Sequence, residues 1–264
     1  MSVPFAFVDV MTERQTKPRH GGLTMVVDGG VPLHRLEDGL EMAGAYADIG
    51  KIKVGSARLY PEGYLERKIA AYRAHGMDVF PGGQFYEYVL AANGMNMAGA
   101  YLEECVRLGF TAVEISDNVV PISDDDRLRM IDDAHGAGLK VFSEVGAKFG
   151  PTETDELLRQ ARLSLDAGAE LVLVEAAEFI RDGKVEQDVL DTVTGALDMA
   201  RVMIELPGPW ISTVSLSLIE DMKKGLIASI GPNVNIGNVE FDMVLELEGA
   251  RVGLGTQGPP GMGG

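Results

Sequence analysis

Ionisable side chains recur at the ends of apolar runs in this sequence. Lys51, Glu114, Glu144 and Glu175 each stand within or directly after a segment rich in Val, Ile, Leu and Ala. A charge in such a segment is costly unless it is paired, protonated or bound to a metal. Oxygen ligands from three separate segments suit Mg²⁺, which prefers carboxylates together with retained water. We therefore predict a magnesium site formed by Glu114, Glu144 and Glu175.

A second basic residue, Lys53, follows Lys51 at a spacing of two. Side chains alternate along a β-strand, so both ammonium groups are expected on the same side of one strand. Two interpretations stay open, and they are compatible. Each lysine pairs with a neighbouring glutamate, or one lysine binds substrate oxygens while the other moves a proton.

Eight short apolar runs determine where these residues lie. Most have no strict polar alternation, which is typical of parallel strands covered by helices. The predicted strands are 22–28, 47–55, 78–83, 112–117, 140–146, 171–176, 202–207 and 234–239. Between them, apolar residues at helical spacing predict helices over 33–46, 62–75, 97–108, 124–137, 153–167 and 185–200. Ser123 is predicted to cap the helix that begins at 124.

Eight strand–helix units in about 240 residues predict an α/β fold, a (β/α)₈ TIM barrel. A doubly wound open sheet uses the same units, but residues 28–32 (DGGVP) do not match a dinucleotide-binding motif. We predict one barrel domain over residues 1–252 and a disordered Gly- and Pro-rich tail over 253–264. In such a barrel the chemistry lies at the C-terminal ends of the strands.

The composition narrows the class of partner. The chain has 264 residues, with 23 Lys and Arg against 40 Asp and Glu, and a formal net charge of −17. Such an acidic chain is not expected to bind nucleic acid, and no apolar run is long enough to span a membrane. One cysteine, Cys105, cannot form an internal disulfide, which indicates a cytoplasmic protein. Small anionic substrates would need basic side chains or a metal to converge at the site. Trp210 either covers the mouth of the site or packs on its own loop, and we expect packing.

Several motifs give the chain a resemblance to the phosphosulfolactate synthases, from about residue 17 to residue 242. The clearest are 17–19 (KPR), 22–28 (GLTMVVD), 81–83 (PGG), 109–117 (GFTAVEISD) and 143–146 (SEVG). Weaker ones include 205–207 (ELP) and 234–238 (VNIGN). Members of this family add sulfite to phosphoenolpyruvate in coenzyme M biosynthesis. The resemblance implies a TIM barrel, Mg²⁺ dependence and a homo-oligomer.

The resemblance, together with strand position, also suggests how the site residues divide the work. Lys51 matches the lysine of the family's second strand, and we assign it as the acid that protonates carbon 2 of the substrate. Lys148 is the second candidate catalytic lysine and could also hold an anion. The candidate substrate-binding residues are Lys17, Arg19, Lys53, Arg58 and Asn235.

The chain departs from the family pattern close to the expected site. Lys53 and Val54 replace a glycine and a tryptophan, an arginine is missing after the sixth strand, and 207–209 (PGP) replaces a Pro-Gln-Lys type of turn. These changes leave two alternatives open. One is a related enolate addition or lyase reaction with another nucleophile or acceptor. The other is a non-catalytic interaction protein similar to a plant heat-stress-associated protein.

Overall fold

The computed structural model describes residues 4–146, 152–211 and 214–255. Its framework is an eight-stranded parallel sheet. The strands of this sheet are β1 (Thr24–Asp28), β2 (Ile49–Ile52), β3 (Asp78–Pro81), β4 (Ala112–Ile115), β5 (Lys140–Val145), β6 (Leu171–Val174), β9 (Val202–Glu205) and β10 (Asn235–Glu240). Two short strands, β7 (Ile180–Arg181) and β8 (Lys184–Val185), pair separately as an antiparallel hairpin.

The sheet curls until its edge strands meet. The strand order is β3-β2-β1-β10-β9-β6-β5-β4. At the seam between β3 and β4, the Thr111 N–H donates to the Val79 carbonyl oxygen at 3.0 Å, and the Val79 N–H donates to Thr111 Oγ1 at 2.9 Å. The sheet is therefore a nearly closed barrel, which confirms the predicted fold. Each of the eight predicted strands overlaps one strand of this barrel; seven contain it entirely, and β10 extends one residue beyond the predicted 234–239.

Apolar side chains fill the barrel and its outer surface. The interior cluster is Met25, Ile49, Phe80, Ala112, Phe142, Leu171, Leu173 and Met203, all buried. Phe80 and Phe142 meet edge to face, with ring centroids 5.2 Å apart. A larger cluster joins the outer faces of the strands to the helices. Because both faces are buried, the strands need continuous Val, Ile and Leu rather than alternation.

Helices follow the barrel strands along the chain. They are α1 (Leu33–Ala43), α2 (Tyr64–Ala74), α3 (Gly83–Asn93), α4 (Ala98–Leu108), α5 (Asp124–Gly136), α6 (Thr154–Asp166), α7 (Gln187–Ala196), α8 (Leu216–Ile230) and α9 (Val244–Arg251). Six of them fall on the predicted segments, whereas α3, α8 and α9 were not predicted. Ser123 caps α5 as predicted, because its side chain accepts a hydrogen bond from the Asp126 N–H at 3.1 Å.

Of the residues predicted as a tail, 253–255 follow α9, and 256–264 lie outside the described residues. Within the described ranges, no helix combines the length and the apolar composition needed to cross a bilayer.

Candidate active site

Lys51 lies among glutamates contributed by several strands. Its Nζ is 2.9 Å from Glu114 Oε2, 2.9 Å from Glu205 Oε1 and 3.9 Å from Glu144 Oε2. The lysine side chain is 10% exposed, and the glutamate side chains are 1% exposed or less. The first of the two interpretations of Lys51, an ion pair with neighbouring glutamate, therefore holds.

A group of three carboxylates lies beside this lysine. Glu144 is in β5, Glu175 directly follows β6 and Glu205 ends β9, and these three strands are neighbours in the barrel. Their carboxylate oxygens lie within 4.8 Å of one another, and all three residues are fully buried. We call Glu114, Glu144, Glu175 and Glu205 the carboxylate cluster. Glu114, which we predicted as a metal ligand, is not in the group of three.

The proton affinities in this group follow from burial and from mutual charge. Burial lowers the pKa of the Lys51 amine, but the carboxylates of Glu114, Glu205 and Glu144 outweigh it, so this pKa lies well above its ordinary value. Burial raises the pKa of Glu114 well above its ordinary value; Lys51 opposes this rise and Glu144 adds to it. Lys51 is therefore an ammonium at neutral pH. Among the described residues, the charges that set this pKa are those of the neighbouring carboxylates.

A cavity of about 270 Å³ opens above these groups at the C-terminal ends of the strands. Its described lining includes Lys51, Glu114, Glu175 and Glu205 at the base. Val27, Lys53, Val54, Gly82, Gly83, Gln84, Trp210 and Asn238 form the rest of the lining. The base thus carries more carboxylates than cations, so an anion needs a further positive charge to bind there.

Gly83 allows the first turn of α3 to reach this cavity. A Cβ at position 83 would lie 2.4 Å from Ser116 Oγ and 2.9 Å from Glu114 Oε1, so a larger residue would push the helix away from β4. The N-terminus of α3 therefore lies at the cavity wall. A helix N-terminus presents N–H groups and a partial positive charge to anions.

Lys17 and Arg19 lie at the opposite end of the barrel, so the expectation that they converge on the pocket is wrong. Lys17 Nζ donates to the carbonyl oxygens of Gly44 and His75 at 2.8 and 2.9 Å. Arg19 Nε lies 3.0 Å from Asp48 Oδ1, just before β2. Both residues precede β1 in the chain, which places them at the N-terminal ends of the strands. There they hold in place the segments that lead into β2 and β3.

Asn235 is also at the N-terminal end, because it is the first residue of β10. Its Oδ1 accepts a hydrogen bond from the Leu23 N–H at 2.9 Å, and its Nδ2 donates to the Val202 carbonyl oxygen at 3.0 Å. The side chain thus joins β10 to the starts of its two neighbours. The prediction that Asn235 binds the substrate is therefore wrong, because the start of a strand lies at the end of the barrel away from the cavity.

The other predicted cations divide between the cavity and its surroundings. Lys53 lines the cavity, and its Nζ lies 4.2 Å from the ring centroid of Trp210. Arg58 is exposed in the last turn of a 3-10 helix (Val54–Leu59) and is not among the described lining residues. Lys148 lies outside the described residues. Six lysine and arginine residues were predicted for the site: Lys17, Arg19, Lys51, Lys53, Arg58 and Lys148. In the described part of the chain, Lys51 and Lys53 both line the cavity.

Two residues of the site were absent from the predicted set. Glu205 had a visible signal, because it ends the apolar run 202–205 in the way that Glu175 follows 171–174. Trp210 both lines the cavity and lies against Gly208, so the expected packing on its loop is only part of its position.

A TIM barrel with lysine and glutamate side chains gathered at the C-terminal ends of its strands defines the chain as a barrel enzyme with an acidic, lysine-containing pocket. The model of the family described as ComA, (2R)-phospho-3-sulfolactate synthase, matches residues 12–257. The chain belongs to this phosphosulfolactate synthase family of lyases.

Individual relatives agree with this assignment. The phosphosulfolactate synthase of Methanocaldococcus jannaschii is 33% identical over 244 residues, which cover 88% of this chain and 92% of that protein. Protein HEAT-STRESS-ASSOCIATED 32 of Arabidopsis thaliana is 24% identical, over 90% of this chain and 88% of that protein. Among solved structures, the YdjI aldolase of Escherichia coli K12 superposes with a TM-score of 0.54 at 13% identity, covering 86% of this chain and 78% of that one. That likeness concerns the barrel fold alone.

Proposed function

We propose that the protein catalyses the Mg²⁺-dependent addition of sulfite to phosphoenolpyruvate, giving phosphosulfolactate. The observation that carries the proposal is the Lys51 ammonium, held 2.9 Å from two buried carboxylates at the base of a cavity. Membership of the phosphosulfolactate synthase family supports the choice of reaction. Phosphoenolpyruvate and sulfite are the small anionic substrates that this proposal requires.

The carboxylate cluster has the donor chemistry for the metal. Octahedral Mg²⁺, with ligands at about 2.0–2.1 Å, places adjacent ligand oxygens about 2.9 Å apart and opposite ones about 4.2 Å apart. Oxygens of Glu144, Glu175 and Glu205 within 4.8 Å of one another come close to that spacing. These three residues, rather than Glu114, Glu144 and Glu175, would hold the ion. When bound, Mg²⁺ would offset negative charge that develops on the substrate carboxylate.

The reaction needs a proton at a defined atom. The sulfur lone pair of sulfite forms a bond to carbon 3, the π electrons of the carbon 2–carbon 3 bond move towards carbon 2 and the carboxylate, and one proton adds to carbon 2. The phosphoryl group stays attached. Lys51 holds a proton on Nζ at neutral pH and is placed at the cavity base to deliver it. Glu114, paired with Lys51, orients that ammonium.

Anion binding falls to the upper part of the cavity. Lys53 supplies a cation there, and the first turn of α3 at Gly83 and Gln84 supplies N–H groups. Lys148 stays a proposed catalytic or anion-binding lysine. Arg58 stays a proposal that would require movement of the 3-10 helix.

Phosphorus NMR on the purified full chain tests the proposal. With phosphoenolpyruvate, sulfite and Mg²⁺, the enol phosphate resonance should decrease while one new phosphomonoester resonance grows. Lys51→Met should lower kcat by about 10²–10⁴-fold, the usual contribution of a positioned acid. Lys140→Met is the matched control, because Lys140 starts β5 at the other end of the barrel, where it pairs with Asp78. It should keep the wild-type rate. No product at high enzyme concentration would contradict the proposal.

The same assay separates the two alternatives. A chain that binds Mg²⁺ and phosphoenolpyruvate without forming product would favour another nucleophile or acceptor, for which the departures at Lys53 and Val54 provide a physical basis. A chain that binds neither would favour a non-catalytic interaction protein, as its similarity to the heat-stress-associated protein allows.

We also propose a homo-oligomer in the cytoplasm. Phe5, Phe7 and Leu216 are large apolar residues with 74, 84 and 83% of their surface exposed, which suits burial against another copy. Cys105 is a buried free thiol, as suits a reducing compartment. Light scattering after size exclusion should give a mass that is a multiple of 28.3 kDa. A mass of one chain would contradict the oligomer.

A further inference from the structure

A lysine and a tryptophan from distant loops meet at the mouth of the cavity. Lys53 directly follows β2, Trp210 lies in the loop after β9, and both line the cavity. The Lys53 ammonium lies 4.2 Å from the centroid of the indole ring, within the range of a cation–π interaction. We call these residues the Lys53–Trp210 pair. Within the described parts of the chain, Lys53 has no ion-pair partner.

The position of the indole depends on Gly208. A Cβ built at position 208 would lie 2.2 Å from two carbon atoms of the Trp210 ring. The ring therefore lies directly against a residue that has no side chain. Pro207 and Pro209 flank this glycine and restrict φ on either side of it. The loop thus holds the indole in a fixed place beside the cavity.

The backbone next to Lys53 is strained. Val54 has φ of +42°, a left-handed conformation that is rare for a β-branched residue. Gly82 lies against this turn, since a Cβ there would be 3.0 Å from the Val54 nitrogen. Backbone strain is retained where the surrounding structure requires it, and it concentrates at ligand sites. The turn therefore fixes the residue from which the Lys53 side chain starts.

The distribution of charge indicates what this ammonium binds. At the base, Lys51 and the Mg²⁺ that the carboxylate cluster would hold face the substrate carboxylate, whereas the mouth holds Lys53. The indole covers one side of the ammonium, which leaves its remaining N–H groups for another partner. A phosphoryl group is a strong acceptor for such donors. A phosphorylated substrate would therefore lie with its phosphoryl group towards the mouth.

We propose that the Lys53–Trp210 pair is the phosphoryl-binding element of this pocket, in which Lys53 binds the phosphoryl oxygens and Trp210 is a positioning residue. The inference rests on the proposed function for its substrate, a phosphorylated three-carbon acid. It adds the orientation of that substrate and a role for Trp210 and Gly208.

Trp210 is the only tryptophan in the chain, so its fluorescence reports directly on this pair. We expect a saturable change in emission when the full chain with Mg²⁺ is titrated with phosphoenolpyruvate, and a weaker one with inorganic phosphate. Lys53→Met should weaken phosphoenolpyruvate binding in this titration at least tenfold. Lys140→Met is the matched control and should keep the wild-type affinity.

Kinetics separate positioning from general loss of structure. Trp210→Leu and Gly208→Ala should raise KM for phosphoenolpyruvate several-fold and more than they lower kcat, while KM for sulfite stays at its wild-type value. Trp210→Phe, which keeps an aromatic face, should restore most of the affinity that Trp210→Leu loses. A wild-type KM for phosphoenolpyruvate in Lys53→Met, or a rise in KM for sulfite instead, would overturn the inference.

Failure of this inference and failure of the proposed function give different results. If the wild type forms no product from sulfite, yet its fluorescence responds to phosphoenolpyruvate and Lys53→Met loses that response, the phosphoryl site stands and the reaction is wrong. If the wild type turns over and Lys53→Met binds phosphoenolpyruvate normally, the reaction stands and the phosphoryl site is wrong.

Discussion

Replacing Lys51 with methionine should make the stability of the protein depend strongly on pH. Lys51 is the cation that faces Glu114, Glu144 and Glu205 in the described structure. Removing the Lys51 ammonium leaves these carboxylates buried close to one another without that positive charge. Breaking a buried ion pair by removing one partner costs about 3–5 kcal/mol. The carboxylates can reduce this cost by taking up protons, and that uptake depends on pH.

The sign of the effect follows from the direction of the pKa shift. Burial raises the pKa of Glu114 in the folded protein, so at a pH between its unfolded and folded pKa values the folded state holds a proton that the unfolded state has lost. The stability that such a group contributes to the folded protein is lost as pH rises from its unfolded pKa through its folded pKa. Without the Lys51 ammonium, the folded pKa rises further. Each extra bound proton widens the stability difference from wild type by about 1.4 kcal/mol per pH unit.

Urea unfolding between pH 6 and pH 8, with EDTA present, measures this difference. We expect the free-energy gap between wild type and Lys51→Met to widen by about 3 kcal/mol over those two units, if one extra proton is held. Lys140→Met removes a half-exposed pair and should cost about 0–1 kcal/mol at every pH. A gap for Lys51→Met that stays constant from pH 6 to pH 8 would refute this reasoning.

Other predictions concern the frame around the site. Gly39→Ala should destabilise the protein by about 1–3 kcal/mol in urea unfolding, since its Cβ would lie 2.3 Å from the ring of Phe241. Gly136→Ala, with open space around it in α5, should instead stabilise the protein by up to about 1 kcal/mol. Equal effects would count against both. Ser123→Ala should cost about 1 kcal/mol through loss of the α5 cap, and no change in the unfolding midpoint would contradict this. Burial raises the pKa of the Cys105 thiol to about 12, so a thiol reagent at pH 8 should label it only in denaturant. Rapid labelling of the folded chain would show that this thiol is accessible.

The fold could be predicted because local patterns determine it. Buried parallel strands need continuous apolar runs, and eight such runs gave eight barrel strands. The helices that were missed have weaker local signals. The helix α8 carries Gly225 in its middle, and α9 is only eight residues long. Their stability comes from packing on the barrel, which no local window of sequence shows.

The sequence predicted those site residues that lie within a strand or directly after it, because the C-terminal ends of the strands meet at one end of the barrel. Lys51, Glu144 and Glu175 lie within or after their strands and do meet. Lys17 and Arg19 come before the first strand, so the same rule would have placed them at the opposite end. The family motif that contains them reflects the loops that these residues fasten, not a shared pocket.

The remaining site features depend on the order of strands around the barrel. Glu205 joins Glu144 and Glu175 because β9 lies beside β6, and no spacing in the sequence reports that neighbourhood. The Lys53–Trp210 pair likewise needs two distant loops to fold to the same place. Such juxtapositions come from the closed barrel and become visible only in three dimensions.

Calorimetric titration with Mg²⁺ tests most directly whether the glutamates work as one site. The wild type should bind one ion per chain. Glu175→Gln and Glu205→Gln should each weaken that binding by about tenfold or more. Glu170→Gln, a change just before the start of β6 at the other end of the barrel, should bind like wild type. Absence of saturable binding in the wild type, or equal affinity in all four proteins, would contradict the account.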